Sequence, residues 1–342
     1  MSGEAPVLVA REGALGRITL NRPRAINALT LEMTRLVAAA LDRFEHDPAV
    51  RHVLLDGAGE RGLCAGGDIV ALHAAMRAGD RTFPRTFWQE EYALDLRIHR
   101  FPKPVVVVMD GLVMGGGVGL AVHASHRLAT ERLGFAMPEV GIGFAPDAGG
   151  PFVLARAPGE LGTHLALTGT TIGCTDAVLC GLADRVVPQA SVAGLVERLR
   201  ELDVDAALAD VAAPQETPPP VLAAARAWID AAYAADSVEE ILARLRARPE
   251  PEAQEAAATI ASKAPTSLKV ALRAIRHARR LPTLEACLAQ ELVTSCAFLD
   301  DPDFAEGIRA AVIDKDRAPR WSPARLEDVT ADALERYVPQ RA

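Results

Sequence analysis

The chain has few cysteines and no concentrated positive charge. Its five cysteines are scattered without a C-x-x-C pair, so the sequence predicts neither a disulfide framework nor a thiolate zinc site. Aspartate and glutamate (45) outnumber lysine and arginine (37), and no basic tract interleaved with aromatic residues occurs. This composition argues against a nucleic-acid partner. We expect a globular protein of a reducing compartment, the cytoplasm.

Sequence motifs of several other protein classes are also missing. The N-terminal MSGEAPVLVAREG has no cationic segment followed by an apolar one, so we expect no export signal. No G-x-S-x-G motif is present, which argues against a serine-nucleophile hydrolase. His123 and His126 lack an H-E-x-x-H pattern and a third ligand, so we expect helix-end packing there and no metal site.

The run PVVVVMDGLVMGGGVGLAVHA, residues 104–124, is long and apolar enough to suggest a membrane helix. Asp110, several glycines and a β-branched first half instead predict a buried strand, a turn and a helix. We therefore expect no membrane association.

The periodicity of apolar residues changes along the chain. Residues 1–189 alternate short strands with helices, which predicts an α/β fold. Residues 190–342 carry successive Ala-, Leu-, Arg- and Glu-rich segments with helical period, which predicts an all-helical C-terminal region.

Three glycine clusters interrupt the apolar segments: CAGGD (64–68), MGGGVG (114–119) and APDAGG (145–150). Such clusters indicate tight packing, or a backbone that must approach a ligand closely. MGGGVG fits neither a dinucleotide fingerprint nor a phosphate loop. Its position between a predicted strand and helix would suit N–H donation to an anion or a developing oxyanion.

The stretch GFAMPEVGIGFAPDAGGP, residues 134–151, contains only two ionisable side chains, Glu139 and Asp147. A carboxyl group in an apolar pocket has a raised pKa and increased basicity, so both are candidate catalytic groups. The alternative is that Glu139 caps a turn and Asp147 caps a helix.

Five motifs occur in a recognisable order: NRPRAINAL (21–29), LCAGGDI (63–69), KPVVVVMDGLVMGGGVGLAV (103–122), FAMPEVGIGFAPDAGG (135–150), and LTG followed by DAVLCGLADRVV (167–187). This set resembles the enoyl-CoA hydratase/isomerase, or crotonase, superfamily. The resemblance implies a spiral of ββα units with an acyl-CoA site in residues 1–189. It also implies an acyl-CoA thioester substrate and no separate cofactor. Members of the superfamily often trimerise, which allows a homo-oligomer.

The resemblance also implies roles for individual residues. The N–H groups of Gly67 and Gly116 would form an oxyanion hole for the thioester carbonyl. CoA would lie along the segments NRPRAIN (21–27) and CAGGDI (64–69). Its contacts would be Arg22, Arg24, Ala25 and Ala65. Lys103 is a further candidate phosphate partner. The alternative, that Arg22, Arg24 and Lys103 are ordinary solvated surface residues, is slightly favoured.

The positions of glutamate and aspartate residues indicate which group within the superfamily this chain resembles. Hydratases of the superfamily carry a glutamate three residues past the middle glycine, where this chain has Gly119. The segments WQEEYALD (88–95), ASKAPTSLKVALRAIR (261–276) and DFAEGIRAAVIDKDRAPRWSP (303–323) look like the 3-hydroxyisobutyryl-CoA hydrolases. In that group the residues matching Glu139 and Asp147 are the catalytic pair. Glu91 and Asp68 would bind substrate.

The predicted function is therefore hydrolysis of 3-hydroxyisobutyryl-CoA to 3-hydroxyisobutyrate and CoA, in valine catabolism. One alternative is an enoyl-CoA hydratase or isomerase; Gly119 argues against the hydratase, but an isomerase using Glu139 alone stays open. Another is a non-catalytic acyl-CoA-binding protein of the same fold. The presence of both Glu139 and Asp147 argues against that alternative. Glu139 could act as nucleophile or as general base.

Overall fold

The structure, a computed structural model, describes residues 5–209, 211 and 217–338. The chain divides into two compact units, each discontinuous in sequence. The first unit comprises residues 1–67, 90–136 and 171–220, and the second comprises residues 68–89, 137–170 and 221–342.

The first unit contains two sheets. The strands in chain order are β1 (Val7–Glu12), β2 (Leu15–Leu20), β3 (His52–Gly57), β4 (Gly62–Cys64), β5 (Val105–Met109), β6 (Leu112–Met114), β7 (His126–Ala129), β8 (Gly134–Ala136) and β9 (Arg185–Val186). A six-stranded sheet has the order β1-β2-β3-β5-β7-β9, and a three-stranded sheet has the order β4-β6-β8. Only the β1–β2 pair of these sheets is antiparallel.

The strand order reveals a repeating unit. Three successive strand pairs, β3–β4, β5–β6 and β7–β8, each place the first strand in the large sheet and the second in the small one. Because the first two pairs lead directly into helices, the chain advances as a spiral of ββα turns. The predicted fold class, an α/β spiral with an all-helical C-terminal part, is confirmed.

Sixteen α-helices are assigned within the described residues. They are α1 (Leu31–His46), α2 (Ile69–Arg77), α3 (Thr82–His99), α4 (Gly116–Val122), α5 (Gly150–Leu154), α6 (Leu161–Thr168), α7 (Cys174–Leu179), α8 (Val192–Leu199), α9 (Val204–Ala209), α10 (Val221–Tyr233), α11 (Val238–Arg246), α12 (Pro251–Ala261), α13 (Pro265–Ala278), α14 (Leu284–Phe298), α15 (Pro302–Ile308) and α16 (Ala331–Leu334).

The core of the first unit follows from its strand sequences. All five residues of β5, VVVVM, are buried, as expected for a central parallel strand whose two faces are both covered. Leu54, Val106 and Leu128 of neighbouring strands pack in one cluster with Leu195 and Leu199 of α8. This packing explains why α8, although beyond residue 189, belongs to the first unit.

The second unit contains helices and no strand among its described residues, 68–89, 137–170 and 221–338. Its core includes a group of aromatic rings: Trp88, Phe144, Phe298, Phe304 and Tyr337. The Phe144 ring stacks on Phe304 at a centroid distance of 4.6 Å, and on Trp88 at 5.5 Å. Offset and tilted aromatic contacts add about 0.5–1.5 kcal/mol per pair to the gain from burial.

The strand and helix predicted for residues 104–124 correspond to β5 and α4, and a further short strand, β6, lies between them where only a turn was expected. Across residues 5–209, 211 and 217–338, no helix has the length and apolar character needed to span a bilayer. The division into domains of residues 1–189 and 190–342 stays a prediction. The two compact units are defined by packing, and each combines three separate segments of the chain.

Candidate active site

The glycines predicted to form the oxyanion hole lie side by side in the first unit. Gly67 follows β4 and forms a parallel bridge with Leu29, while Gly116 begins α4. A Cβ atom on Gly116 would lie 3.5 Å from the Gly67 backbone nitrogen. The structure therefore brings these two backbone segments together.

Glu91 is next to the same glycines. Its side chain is 2% exposed, and a Cβ atom on Gly116 would overlap its Oε1 atom. Cys64, also nearby, points its thiol toward the Asn27 carbonyl at 3.3 Å. Burial raises the pKa of the Cys64 thiol to about 12, so this cysteine is a packing residue and not a nucleophile.

The segment predicted to bind CoA is held together by Asn27, a residue that the sequence interpretation had not singled out. Asn27 is fully buried, and its Nδ2 atom lies 3.1 Å from the carbonyl oxygens of Ala58, Gly62 and Leu63. Its Oδ1 atom accepts a hydrogen bond from the Arg22 backbone N–H at 2.8 Å. One amide side chain thus joins the 22–27 turn to the strand that leads to Gly67.

The predicted CoA contacts cluster around that junction. The Ala65 N–H donates to the Ile26 carbonyl at 2.9 Å, which brings Ala65 next to the turn that carries Arg22, Arg24 and Ala25. Arg24 and Ala25 are exposed. Arg22 is half-buried and donates from Nη1 to the Ala28 carbonyl at 2.5 Å.

Lys103 has a different role. Its Nζ atom donates to the carbonyls of Phe44 and Asp47 at 2.5 and 2.8 Å. These carbonyls lie at the C-terminus of α1, where a cation is favoured by the helix dipole. Capping of α1 accounts for Lys103 without a phosphate ligand.

Glu139 belongs to the second unit and begins a short 3₁₀ helix, Glu139–Ile142. It is 5% exposed, and its Oε2 atom has no hydrogen-bond partner among the described residues. Burial, and secondly the charge of Asp147, raise the pKa of Glu139 well above its usual range. A buried carboxyl group with a raised pKa is a candidate for a chemical role.

Asp147 is 8% exposed and lies in a tight turn before α5. The Gly150 N–H donates to its backbone carbonyl at 2.7 Å. The next two residues, Ala148 (φ 52°) and Gly149 (φ 74°), are both left-handed. The charge of Asp147 raises the pKa of Glu139, so the two carboxyl groups lie within electrostatic range of each other.

A third buried carboxyl group, Glu291 of α14, lies beside this turn. Its Oε2 atom accepts a hydrogen bond from the Gly149 N–H at 2.8 Å, and the Cys287 thiol donates to its Oε1 atom at 3.2 Å. Burial raises the pKa of Glu291 to about 8, and the charge of Asp147 contributes to that increase. The sequence contained a signal for it: a glutamate within the mostly apolar helix LEACLAQELVTSCAF.

Asp68 caps a helix. Its Oδ1 atom accepts a hydrogen bond from the Ala71 N–H at 3.2 Å, at the start of α2. The predicted contact of Asp68 with substrate therefore stays a prediction, since helix capping is sufficient reason for an aspartate there.

The position at which hydratases carry their first glutamate is closed by a neighbouring side chain. Gly119 lies on α4, and a Cβ atom there would meet the Oδ2 atom of Asp95 at 2.6 Å. Asp95 itself is fully buried on α3. A side chain at position 119 would therefore require Asp95 to move.

The two histidines considered as metal ligands are not part of a ligand cluster. Over the part of the chain that the structure describes, no group of three or more His, Cys, Asp or Glu side chains is placed to hold a metal ion. His123 is buried and its ring lies edge-on to His99 at 6.4 Å. His126 lies within hydrogen-bond distance of the Ser125 hydroxyl.

Comparison with known proteins gives consistent matches over nearly the whole chain. A family profile described as enoyl-CoA hydratase/isomerase matches residues 15–338. The 3-hydroxyisobutyryl-CoA hydrolase, mitochondrial, of Rattus norvegicus is 41% identical over 343 residues, which cover 97% of this chain and 88% of the rat protein.

Two solved structures are similar throughout. The crystal structure of a carnitinyl-CoA dehydratase from Mycobacterium thermoresistibile has a TM-score of 0.94 and 48% identity, and covers 98% of this chain and 96% of its own. That of an enoyl-CoA hydratase from Rhodobacter sphaeroides 2.4.1 has a TM-score of 0.91 and 40% identity, with coverages of 98% and 97%.

Proposed function

Since the chain belongs to the enoyl-CoA hydratase/isomerase family, we propose that it is an acyl-CoA thioester hydrolase acting on 3-hydroxyisobutyryl-CoA. The observation that carries this proposal is the buried carboxyl pair Glu139 and Asp147, together with Gly119 where a hydratase would carry its first glutamate. The named hydrolase from Rattus norvegicus, similar over nearly all of this chain, supports the same substrate.

The oxyanion hole would stabilise charge on the thioester. When a nucleophile adds to the thioester carbon, its oxygen becomes negative, and two N–H donors lower the energy of that species. We assign this task to the N–H groups of Gly67 and Gly116. Their close approach supports the assignment, because both donors must reach one oxygen atom.

Glu139 would supply the reactive carboxylate. In one route it adds to the thioester carbon and expels the CoA thiolate, which leaves an acyl–glutamyl anhydride that water then opens. In the other it removes a proton from water as the water attacks the thioester. Both routes consume one water and produce 3-hydroxyisobutyrate and CoA. A raised pKa makes the ionised Glu139 a stronger base and nucleophile, which suits either route.

Asp147 and Glu91 would act on the rest of the substrate. Asp147 is proposed to position water or exchange protons with it. The 3-hydroxyl group would be held by Glu91 or Asp147, and orientation of this kind supports catalysis by fixing the reacting carbonyl. CoA is proposed to follow the junction of the 22–27 turn and the strand end at Ala65, with Arg22 and Arg24 toward its phosphates.

The hydratase alternative has specific support. Two structural neighbours with 48% and 40% identity are described as a carnitinyl-CoA dehydratase and an enoyl-CoA hydratase. One observation argues against this alternative. At the position where hydratases carry their first glutamate, this chain has Gly119, and the Asp95 side chain fills the space that a side chain there would need. The presence of both buried carboxylates, Glu139 and Asp147, argues against a non-catalytic acyl-CoA-binding role.

The remaining expectations are proposals of the same kind. We propose that the reaction needs no cofactor or metal, because a carboxylate, water and two N–H donors suffice for it. The five cysteines are free, in keeping with a reducing compartment. The cytoplasm, expected from the sequence, is not supported by the mitochondrial names of the relatives. A homo-oligomer stays a prediction.

The test is release of free CoA thiol, followed with a thiol-reactive chromophore. The substrates are 3-hydroxyisobutyryl-CoA, 3-hydroxypropionyl-CoA and crotonyl-CoA. Glu139→Gln is expected to lower kcat by about 1000-fold and Asp147→Asn by about 10- to 1000-fold. Glu252→Gln, an exposed carboxylate on α12, serves as the control and should leave kcat unchanged.

The outcomes separate the alternatives. Thiol release from the two hydroxyacyl substrates that collapses in both active-site variants supports the hydrolase. Loss of the crotonyl-CoA enoyl absorbance without thiol release would instead establish a hydratase. If neither reaction occurs while 3-hydroxyisobutyryl-CoA raises the melting temperature, the hydrolase and the hydratase are both refuted, and the isomerase and the acyl-CoA binder are the remaining alternatives.

A further inference from the structure

Among the buried acids of the second unit, Glu291 is one that the proposed reaction does not use. It lies on α14, far along the chain from Asp147, and is 4% exposed. Asp147 and Glu291 line the same small cavity, together with Cys287 and Ser295. A carboxyl group this deeply buried is destabilising unless it is hydrogen-bonded, and here its two oxygens have different partners.

The first partner is the backbone of the turn that carries Asp147. The Gly149 N–H, two residues past Asp147, donates to Oε2 of Glu291 at 2.8 Å. Between them, Ala148 has φ of 52°, a left-handed conformation that is unfavourable for a residue with a Cβ atom. A turn that contains such a residue persists only where surrounding contacts fix it, and the Glu291 hydrogen bond is one such contact.

The second partner keeps Glu291 itself in place. Cys287 lies one helical turn earlier on α14, and its thiol is 3.2 Å from Oε1 of Glu291. With Oε1 and Oε2 both engaged, the carboxyl plane is fixed. The other charged and titratable groups that face this region are Asp147, His277 on α13 and Arg156 after α5.

We propose that Glu291 is a positioning residue for Asp147: its carboxyl group holds the turn after Asp147 through the Gly149 N–H, and its ionisation repels the Asp147 carboxylate. The proposal rests on the proposed function, because it assigns Asp147 to the reaction. Glu291 acts through the turn and touches no reacting atom.

The consequence concerns both geometry and pH. While Glu291 is protonated, it holds the turn without adding charge. When it ionises, a second buried negative charge appears beside Asp147 and opposes the negative charge that develops on the thioester oxygen. Wild-type kcat is therefore expected to fall as the pH rises through about 8, the pKa of Glu291.

The experiment compares Glu291→Gln, Glu291→Ala and the control Glu285→Gln, an exposed residue on the same helix. The glutamine side chain keeps an oxygen that can accept from Gly149 but cannot ionise. We expect its kcat to stay within about threefold of wild type at about pH 6.5, and the fall in kcat near pH 8 to disappear. Alanine removes the acceptor, so kcat should fall by about 10- to 100-fold while KM changes less than about threefold.

Hydrogen exchange of the Gly149 amide provides a readout that needs no turnover. Exchange should accelerate in Glu291→Ala and remain slow in Glu291→Gln. If Glu291→Ala does not fold, the pH profile and Gly149 exchange of Glu291→Gln carry the test. A glutamine variant with the wild-type pH profile, or an alanine variant with wild-type kcat, would overturn the proposal.

Failure of the proposed function is recognised separately. Wild-type protein that releases no thiol from 3-hydroxyisobutyryl-CoA refutes the hydrolase, whatever Glu291 does. If the wild type hydrates crotonyl-CoA instead, the same variants are compared in that reaction. Unaltered Gly149 exchange in Glu291→Ala would refute the positioning role even where the hydrolase is established.

Discussion

Replacing Glu291 by glutamine should change how the stability of the protein depends on pH. The pKa of Glu291 is raised from its usual 4.5 to about 8 in the folded protein, chiefly by burial. Between those two values the folded state retains a proton that the unfolded state has released. The contribution of this proton to the stability of the wild type is therefore lost progressively as the pH rises from about 4.5 to about 8.

The magnitude follows from the size of the shift. At about 1.4 kcal/mol per pH unit, this one group costs roughly 1 kcal/mol at pH 5, about 3 kcal/mol at pH 7 and about 4 kcal/mol at pH 8. The glutamine variant has no ionisable group at this position, so it escapes this cost. Its free energy of unfolding, relative to wild type, should rise by about 3 kcal/mol between about pH 5 and pH 8.

The assay is urea unfolding of wild type, Glu291→Gln and Glu285→Gln at a series of pH values. Any pH-independent effect of the substitution, such as a poorer contact with Cys287, cancels when each variant is compared with itself across pH. Glu285 is exposed, so its variant should track the wild type. A Glu291→Gln curve parallel to the wild-type curve over this range would refute the buried, proton-retaining state of Glu291.

Three further substitutions test other parts of the structure. Gly116→Ala is expected to lower kcat about 100-fold with little change in KM, because the added Cβ overlaps the Glu91 carboxyl group and displaces it beside the two N–H donors. Wild-type thiol release would contradict this. Gly119→Glu should add no crotonyl-CoA hydration and should lower Tm, since its Cβ would lie 2.6 Å from Asp95. Adding Asp95→Ala should recover the Tm, and no recovery would reject the clash as the cause. Asn27→Ala should lower the free energy of unfolding in urea by about 2–4 kcal/mol, because buried carbonyls lose their donor. Replacement of the exposed Arg24 by alanine should lower it by less than about 0.5 kcal/mol. Equal losses in the two variants would contradict the role of Asn27.

Local sequence signals were sufficient for much of the fold. The four consecutive valines of β5 predicted a buried strand because a parallel strand covered on both faces needs no polar alternation. The helical period after residue 189 predicted the C-terminal helices. The short strands β4, β6 and β8 were not singled out as separate strands, because three residues are too few to display a period of two and their pairing is decided by partners distant in sequence.

The candidate site was predictable where the backbone itself imposes a residue type. At Gly116 a side chain would overlap Glu91, and that restriction appears in the sequence as a glycine cluster. Glu139 and Asp147 were conspicuous in an apolar segment. Glu291 had only a weak local signal, a glutamate in a mostly apolar helix. Its role depends on a hydrogen bond to Gly149 across 142 residues of chain, and no local pattern predicts a contact over that separation.

The discontinuity of the second unit affects how the protein is made. Trp88 and Phe144 emerge from the ribosome well before Phe298, Phe304 and Tyr337, the rings among which they become buried. Until those later rings are synthesised, the early ones have no completed core and remain available to chaperones and to other nascent chains. A premature stop codon before residue 298 should therefore produce an aggregation-prone fragment, and not a shorter enzyme.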